Sequence, residues 1–145
     1  QFCEMFYVAL THLKARFPGL KIGGPALTHV DIPFTEKLLG RLREGGHPPL
    51  DFYSFHGYAS TPAAFAEPPR IARALLDSYG YTDTEIILNE WNYVKNWASP
   101  EAMKEAYQVI GNVQGASFVA GAVCGAQNAK ELDHFMYYDA RPATV

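Results

Sequence analysis

Glu90 lies in the segment Ile86-Ile87-Leu88-Asn89-Glu90-Trp91-Asn92, where an apolar run of strand length gives way to an amide, a carboxylate and an indole. Such a run reads as a buried parallel strand, and α/β proteins assemble their sites from polar groups at the carboxyl ends of such strands. A carboxylate there can serve as nucleophile, base or acid, which makes Glu90 the leading candidate for chemistry. The plainer alternative is a charged residue that leaves the core to cap a loop or pair with a lysine. Two other strand ends carry related groups. His56 and Tyr58 close a strand at 51–56, and Tyr137, Tyr138 and Asp139 close one at 134–138. In a parallel barrel all of these groups share one mouth, where an imidazole, phenols and an indole around one carboxylate suit a sugar. Aromatic rings can stack on the apolar face of a pyranoside while His, Tyr and Asn bond its hydroxyls, although other small ligands also fit such a lining. Each residue has a packing alternative as well: His56 as a satisfied core histidine, and Tyr53, Phe55, Tyr137 and Tyr138 as core aromatics.

Other chemistries find little support. A triad of Ser54, His56 and Asp139 can be drawn on paper, but no GxSxG elbow accompanies it. Gly23-Gly24-Pro25 reads as a tight strand end and not as a phosphate cradle, because no GxGxxG or Walker pattern surrounds it. Cys3 and Cys124 lack a CxxC or Cys/His spacing and are expected to be two buried thiols. His12, His29, His47, His56 and His134 lack the spacing of a metal-binding helix, so neither metal nor cofactor is expected. A net charge of -3, with 12 Lys and Arg scattered along the chain, argues against nucleic acid as a partner. No apolar run reaches the roughly 18 to 20 residues that span a bilayer, so no membrane partner is expected. The compartment is left open.

The 145 residues, 48% of them apolar, suffice for a single domain over 1–145 with a real core. Phe2, Met5, Phe6, Ala9, Leu10, Leu13 and Phe17 recur at helical spacing and predict a core-facing helix that Pro18-Gly19 stops. A short strand at 20–26 follows, its Gly23-Gly24 permitting close backbone approach. Pro33 opens a second helix with Phe34, Leu38, Leu39 and Leu42 as its buried stripe and Gly45-Gly46 as its stop. After the strand at 51–56, which Gly57 ends, Ile71, Ala72, Leu75, Leu76 and Tyr79 mark a third helix. A strand at 85–90 precedes Ser99-Pro100-Glu101, a helix cap, a first-turn proline and an acidic first turn. The stretch 111–125, rich in Gly and Ala, suits a helical segment close against a sheet, with Gly111, Gly115 and Gly121 leaving its continuity open. Four strands alternating with helices make a parallel sheet of βα units. A doubly wound sheet can be complete with so few strands, whereas a (β/α)8 barrel needs eight and about 250 residues.

Lys21-Ile22-Gly23-Gly24-Pro25-Ala26, Asp51-Phe52-Tyr53-Ser54-Phe55-His56-Gly57-Tyr58 and Ile87-Leu88-Asn89-Glu90-Trp91-Asn92 follow one another in an order and spacing that resembles strands five, six and seven of glycoside hydrolase family 39. That family comprises β-xylosidases and α-L-iduronidases of the large retaining clan built on (β/α)8 barrels. Met136-Tyr137-Tyr138-Asp139-Ala140-Arg141-Pro142 looks like the eighth strand. The resemblance covers nearly the whole chain. It implies an α/β fold, a parallel sheet of βα units forming the C-terminal half, strands 5 to 8, of a (β/α)8 TIM barrel, with strands 1 to 4 absent. The start at Gln1, already inside a helical pattern, and the uncapped end at Arg141-Pro142-Ala143-Thr144-Val145 suggest a fragment of a longer protein.

By the same resemblance Glu90 is the catalytic nucleophile, and His56 and Tyr58 line the sugar subsite beside it. Asn89 and Trp91 join the substrate-binding set by position alone, and Tyr138 joins from the eighth strand. Retaining hydrolysis needs a second carboxylic acid about 5 to 5.5 Å from the nucleophile. In this clan it follows an Asn on strand four, and no Asn-Glu pair precedes the first helix here; Glu4 lies on that helix, outside the motif. The expected function is retaining hydrolysis of O-glycosidic bonds, β-xyloside-like, in the complete parent, with the 145-residue piece inactive alone. Its expected partners are a glycoside or oligosaccharide, the missing N-terminal half of the barrel, and a second copy of itself through exposed sheet edges. The alternative from another class is a non-catalytic carbohydrate-binding or structural half-barrel module. A third, an intact doubly wound domain, is disfavoured by the lack of a nucleotide fingerprint.

Overall fold

The computed structural model describes residues 1–139, so the Ala140-Arg141-Pro142 end of the eighth-strand motif and the abrupt terminus at 141–145 lie outside the described residues. The elements run α1 (Phe2–Arg16), β1 (Gly23–Leu27), α2 (Ile32–Glu44), β2 (Phe52–Ala59), a 3₁₀ turn (Pro62–Phe65), α3 (Glu67–Ser78), β3 (Glu85–Tyr93), α4 (Pro100–Ile110), α5 (Val113–Ala126) and β4 (His134–Tyr137). The four strands form one parallel sheet in the order β1-β2-β3-β4. A doubly wound sheet reverses its order at a switch point, whereas a barrel keeps consecutive strands adjacent. This sheet is an arc of the second kind.

The helix boundaries follow from local chemistry. Asp31 caps α2 by accepting from the Phe34 N–H at 2.9 Å, and Ser99 caps α4 by accepting from the Ala102 N–H at 3.2 Å, each just ahead of a first-turn proline or its neighbour. The Gly- and Ala-rich stretch is interrupted at Gly111, and Asn112 caps a separate α5 through the Gln114 N–H at 2.7 Å. Its glycines serve neighbours other than the sheet. A Cβ on Gly115 would lie 2.4 Å from the Val109 carbonyl of α4, and one on Gly121 would lie 2.9 Å from Pro62. The two helices meet at 79°, and among the described residues no single helix is long and apolar enough to cross a membrane.

Two aspartates pin the register at the amino ends of the strands with the same device. Asp51 accepts from the Ile22 N–H through its side chain at 2.7 Å and donates its own N–H to the Ile22 carbonyl at 2.9 Å. Asp133 does the same to Ile86, at 2.7 and 2.9 Å. Lys14 adds an ion pair to Asp51 at 2.8 Å, and together with the Ile22 N–H it holds that carboxyl below its usual range against the opposing effect of burial.

The core lies between the sheet and the helices, with Leu38, Leu39 and Leu42 of α2, Leu76 of α3, Ala122 of α5 and Tyr53, Phe55, Ile86 and Leu88 of the strands all fully buried. Helix α1 departs from expectation. Only Cys3 and Leu10 are buried, while Phe2, Met5, Leu13 and Phe17 are exposed. The reason is its place at the sheet edge: among the described residues β1 has a single neighbouring strand, and α1 packs on α2, where the Tyr7 hydroxyl bonds the Gly45 carbonyl at 3.0 Å and Arg41 lies 3.8 Å over the Tyr7 ring. Cys124 is likewise exposed rather than buried, on the outward side of α5.

Candidate active site

Strands β2 and β3 are longer than their apolar patterns indicate. β2 continues through Gly57 and Tyr58 to Ala59, and β3 continues through Glu90 to Tyr93, so the polar residues lie inside the carboxyl-terminal part of each strand. Gly57 does not end its strand; it makes room there, since a Cβ would come within 3.2 Å of the Phe65 ring and 3.3 Å of Leu88.

The decisive local feature is a bulge. Phe55 pairs with Leu88, but His56 pairs with Glu90, leaving Asn89 as the extra residue of β3. A bulge of one residue re-aims the side chains that follow it. Here it sets Glu90 directly opposite His56. The Tyr58 hydroxyl donates to Glu90 Oε1, and His56 Nδ1 lies 3.7 Å from Oε2. Both the His56 and Glu90 side chains retain about a quarter of their exposure, 22% and 25%. Burial first, and then the bond to Glu90, push the Tyr58 phenol well above its ordinary value. It therefore stays protonated and continues to donate.

This group opens onto a cavity of about 620 Å³, a size suited to a small ligand, whose walls include Thr28, His29, His56, Tyr58, Phe65 and Trp97. A second cavity of about 290 Å³ shares Tyr58, Glu90 and Trp97 with the first and adds Asn92, Tyr138 and Asp139. Asn92 fixes that wall by donating to the Tyr138 carbonyl at 2.8 Å. At the other side a second bulge, at Ala26, carries the chain from β1 towards Thr28 and His29: Ala26 has a φ of 58° and its N–H donates to Ser54 Oγ at 3.1 Å. Ser54 is buried and bonded to Ala26, and among the described residues no hydrogen bond joins it to His56 or His56 to Asp139, so the triad drawn with them is not assembled.

The sequence-derived set thus divides. Glu90, His56 and Tyr58 come together, and Tyr138 borders the second cavity. Trp91 does not join them. As the residue next to Glu90 in an extended strand it faces the other way, is 1% exposed, and packs within Phe65, Phe118 and Phe135, stacked on the last at 4.1 Å. Asn89 is the bulge residue itself, its Oδ1 buried without a hydrogen-bond partner among the described residues. Trp97 and His29 reach the cleft without having been singled out in the sequence, because both sit on loops where no periodicity marks them.

No protein-family model and no curated protein matches the chain. Solved structures do. A glucosidase from Croceicoccus marinus is 31% identical with a TM-score of 0.72, over 94% of this chain and 27% of its own length. The fold is glycosidase-like. N2152 from Neocallimastix frontalis, at 22% identity and a TM-score of 0.53 over 63% of this chain and 22% of its own, shares the fold alone. The chain therefore spans about a quarter of the length of the glucosidase, and within that quarter the four-stranded parallel arc corresponds to part of a glycosidase barrel.

Proposed function

We propose that this chain is part of a retaining glycosidase of the family 39 kind, acting on β-xylosides or related glycosides, with Glu90 as its nucleophile. The observation that carries the reading is the bulge at Asn89, which sets Glu90 against both His56 and Tyr58 at the edge of a cavity of ligand size. In the first step a Glu90 oxygen attacks the anomeric carbon as the bond to the leaving oxygen breaks, giving a glycosyl ester. In the second, water attacks the same carbon and releases Glu90. The Tyr58 hydroxyl orients the carboxylate, and His56 stands where it can bond a sugar hydroxyl.

The leaving oxygen needs a proton. Glu90 is the one carboxylate on the walls of the larger cavity, and Asp139 joins it only in the smaller, among the described residues. We therefore assign the acid to a strand outside these 145 residues, in keeping with the Asn-Glu pair of strand four that the resemblance implies. General acid catalysis is worth about 10² to 10⁴-fold, so the chain alone should leave alkyl glycosides nearly untouched. The free edges of β1 and β4 would close on that complementary half of the barrel.

A fluorinated β-xyloside with a dinitrophenolate leaving group tests the nucleophile without the acid, because that leaving group departs unprotonated. Covalent mass gain located on Glu90, absent in Glu90→Gln, is the expected result. Labelling elsewhere, or none in the chain and in a version extended upstream through a fourth strand, would overturn the assignment. The second reading, a non-catalytic sugar-binding module, is favoured by the single carboxylate of the larger cavity, and sugar binding without trapping at either length would select it.

A further inference from the structure

We propose that Trp97 is the stacking platform of a second sugar subsite, so that the cleft holds a ring against the Trp97 indole next to the ring held at Glu90. Which ring is attacked rests on the reading of Glu90 as nucleophile; the platform itself does not. The chain has two tryptophans, and they have opposite fates. Trp91 is buried in the aromatic core, whereas Trp97 is 62% exposed on the loop between β3 and α4. An indole left in water at the rim of a cavity is apolar surface awaiting a partner.

Three observations separate Trp97 from an ordinary exposed loop residue. First, its loop is tethered along its length. The Val94 N–H pairs with the Ala59 carbonyl at 3.1 Å, Asn96 Oδ1 accepts from the Ala98 N–H at 3.0 Å, and Ser99 caps α4. Second, the indole packs on Tyr58 with centroids 5.0 Å apart and planes 83° apart. That near-perpendicular contact fixes the indole against the residue that holds Glu90 while leaving an indole face clear of Tyr58. Third, Trp97 borders both cavities, and Tyr58 and Glu90 line both with it. A ligand with one ring at Glu90 would therefore have the indole on the wall of the same cavity for its next ring. A flat aromatic face matches the C–H face of a pyranose whose hydroxyls are equatorial, such as β-linked xylose or glucose, and so the ligand class is a β-linked disaccharide or longer oligosaccharide rather than a monosaccharide.

The two tryptophans make the experiment direct, because acrylamide reaches Trp97 and not Trp91. With xylobiose, cellobiose and methyl β-D-xyloside as probes at high millimolar concentration, a disaccharide is expected to lower the quenching constant of the full chain about twofold, and the methyl xyloside much less. Saturation-transfer NMR on the same disaccharide should show affinity falling about tenfold in Trp97→Ala, with Trp97→Phe between the two. Trapping at Glu90 with Trp97 unshielded by every probe would overturn the platform and leave the nucleophile standing. Shielding without trapping would do the reverse. Equal shielding by the methyl xyloside and the disaccharides would overturn the second subsite, since it would put Trp97 against the first ring.

Discussion

The Tyr58 hydroxyl donates to Glu90 Oε1 across two neighbouring strands, and the register that allows this exists because Asn89 is an extra residue in β3. Without the bulge, the residue opposite His56 would be Asn89. The bond supplies the carboxylate with a fixed orientation, and a hydrogen bond to a charged group contributes about 1.5 to 3 kcal/mol. Tyr58→Phe is therefore expected to slow trapping of Glu90 by roughly 10- to 100-fold. Its far-UV circular dichroism should be unchanged, which separates a misplaced nucleophile from a misfolded chain.

Trp91 provides the opposite case, a residue adjacent to Glu90 whose role is packing. It stacks on Phe135 of β4 with centroids 4.1 Å apart and planes 6° apart, and it meets Phe65 edge-on at 5.4 Å. Trp91→Ala should cost about 3 to 5 kcal/mol, read as a shift of the urea midpoint. Trp91→Phe should cost far less. If Trp91→Ala weakened sugar binding in a chain of unchanged stability, the packing assignment would be wrong.

The sequence carried the alternation of strands and helices, and with it the parallel sheet, because buried strands and capped helices announce themselves in apolar runs and in residues such as Asp31 and Ser99. It located His56, Tyr58 and Glu90 near one another through their positions late in adjacent strands. What it concealed was where those strands stop. Ending β3 at Glu90 made Trp91 look like a rim residue, whereas continuation to Tyr93 imposes the two-residue alternation that turns the indole inward. The bulges at Ala26 and Asn89 are set by pairing with β2 and leave no mark of their own in the chain. The exposed face of α1 was hidden for a related reason: its apolar spacing is regular, but the surface it meets is the edge of an open arc.

Buried tyrosines make the fold sensitive to alkali. Tyr53 is fully buried with its hydroxyl 2.7 Å from Thr35 Oγ1, and burial pushes its phenol up to about 12; burial does the same to Tyr81. A phenol raised in the folded state contributes its stability fully below its ordinary value of 10.0. The unfolded chain sheds the proton first, so stability falls as the pH rises from about 10 towards 12. For Tyr53 the loss is on the order of 2 to 3 kcal/mol. Urea unfolding between pH 8 and 12 should show this decline, and Tyr53→Phe should make it shallower, leaving the part that Tyr81 and Tyr58 contribute. The same variant should be less stable at neutral pH by about 1 to 3 kcal/mol, because it leaves the buried Thr35 hydroxyl unpaired.

Gly23 links the edge strand to the mouth. A Cβ there would lie 2.0 Å from the Phe52 carbonyl oxygen and 2.7 Å from the Phe52 ring, so any side chain forces β1 away from β2 at the start of their ladder. Because the opposing atom is backbone, the strain has no flexible side chain to absorb it. Gly23→Ala should cost about 1 to 3 kcal/mol, the range for overpacking a close contact. Gly19→Ala is the matched control, since nothing lies within 4 Å of the Cβ it would add, and it should stay within about 0.5 kcal/mol of the parent. The displacement should also travel along β1 to the Ala26 bulge, whose N–H holds Ser54, and so to Thr28 and His29 on the cavity wall. Disaccharide affinity should therefore weaken in Gly23→Ala even under conditions where the chain remains folded. Glu90, held from β2 and β3, should still be trapped at close to the parent rate. Loss of trapping in parallel with loss of affinity would mean that β1 supports the nucleophile as well as the wall.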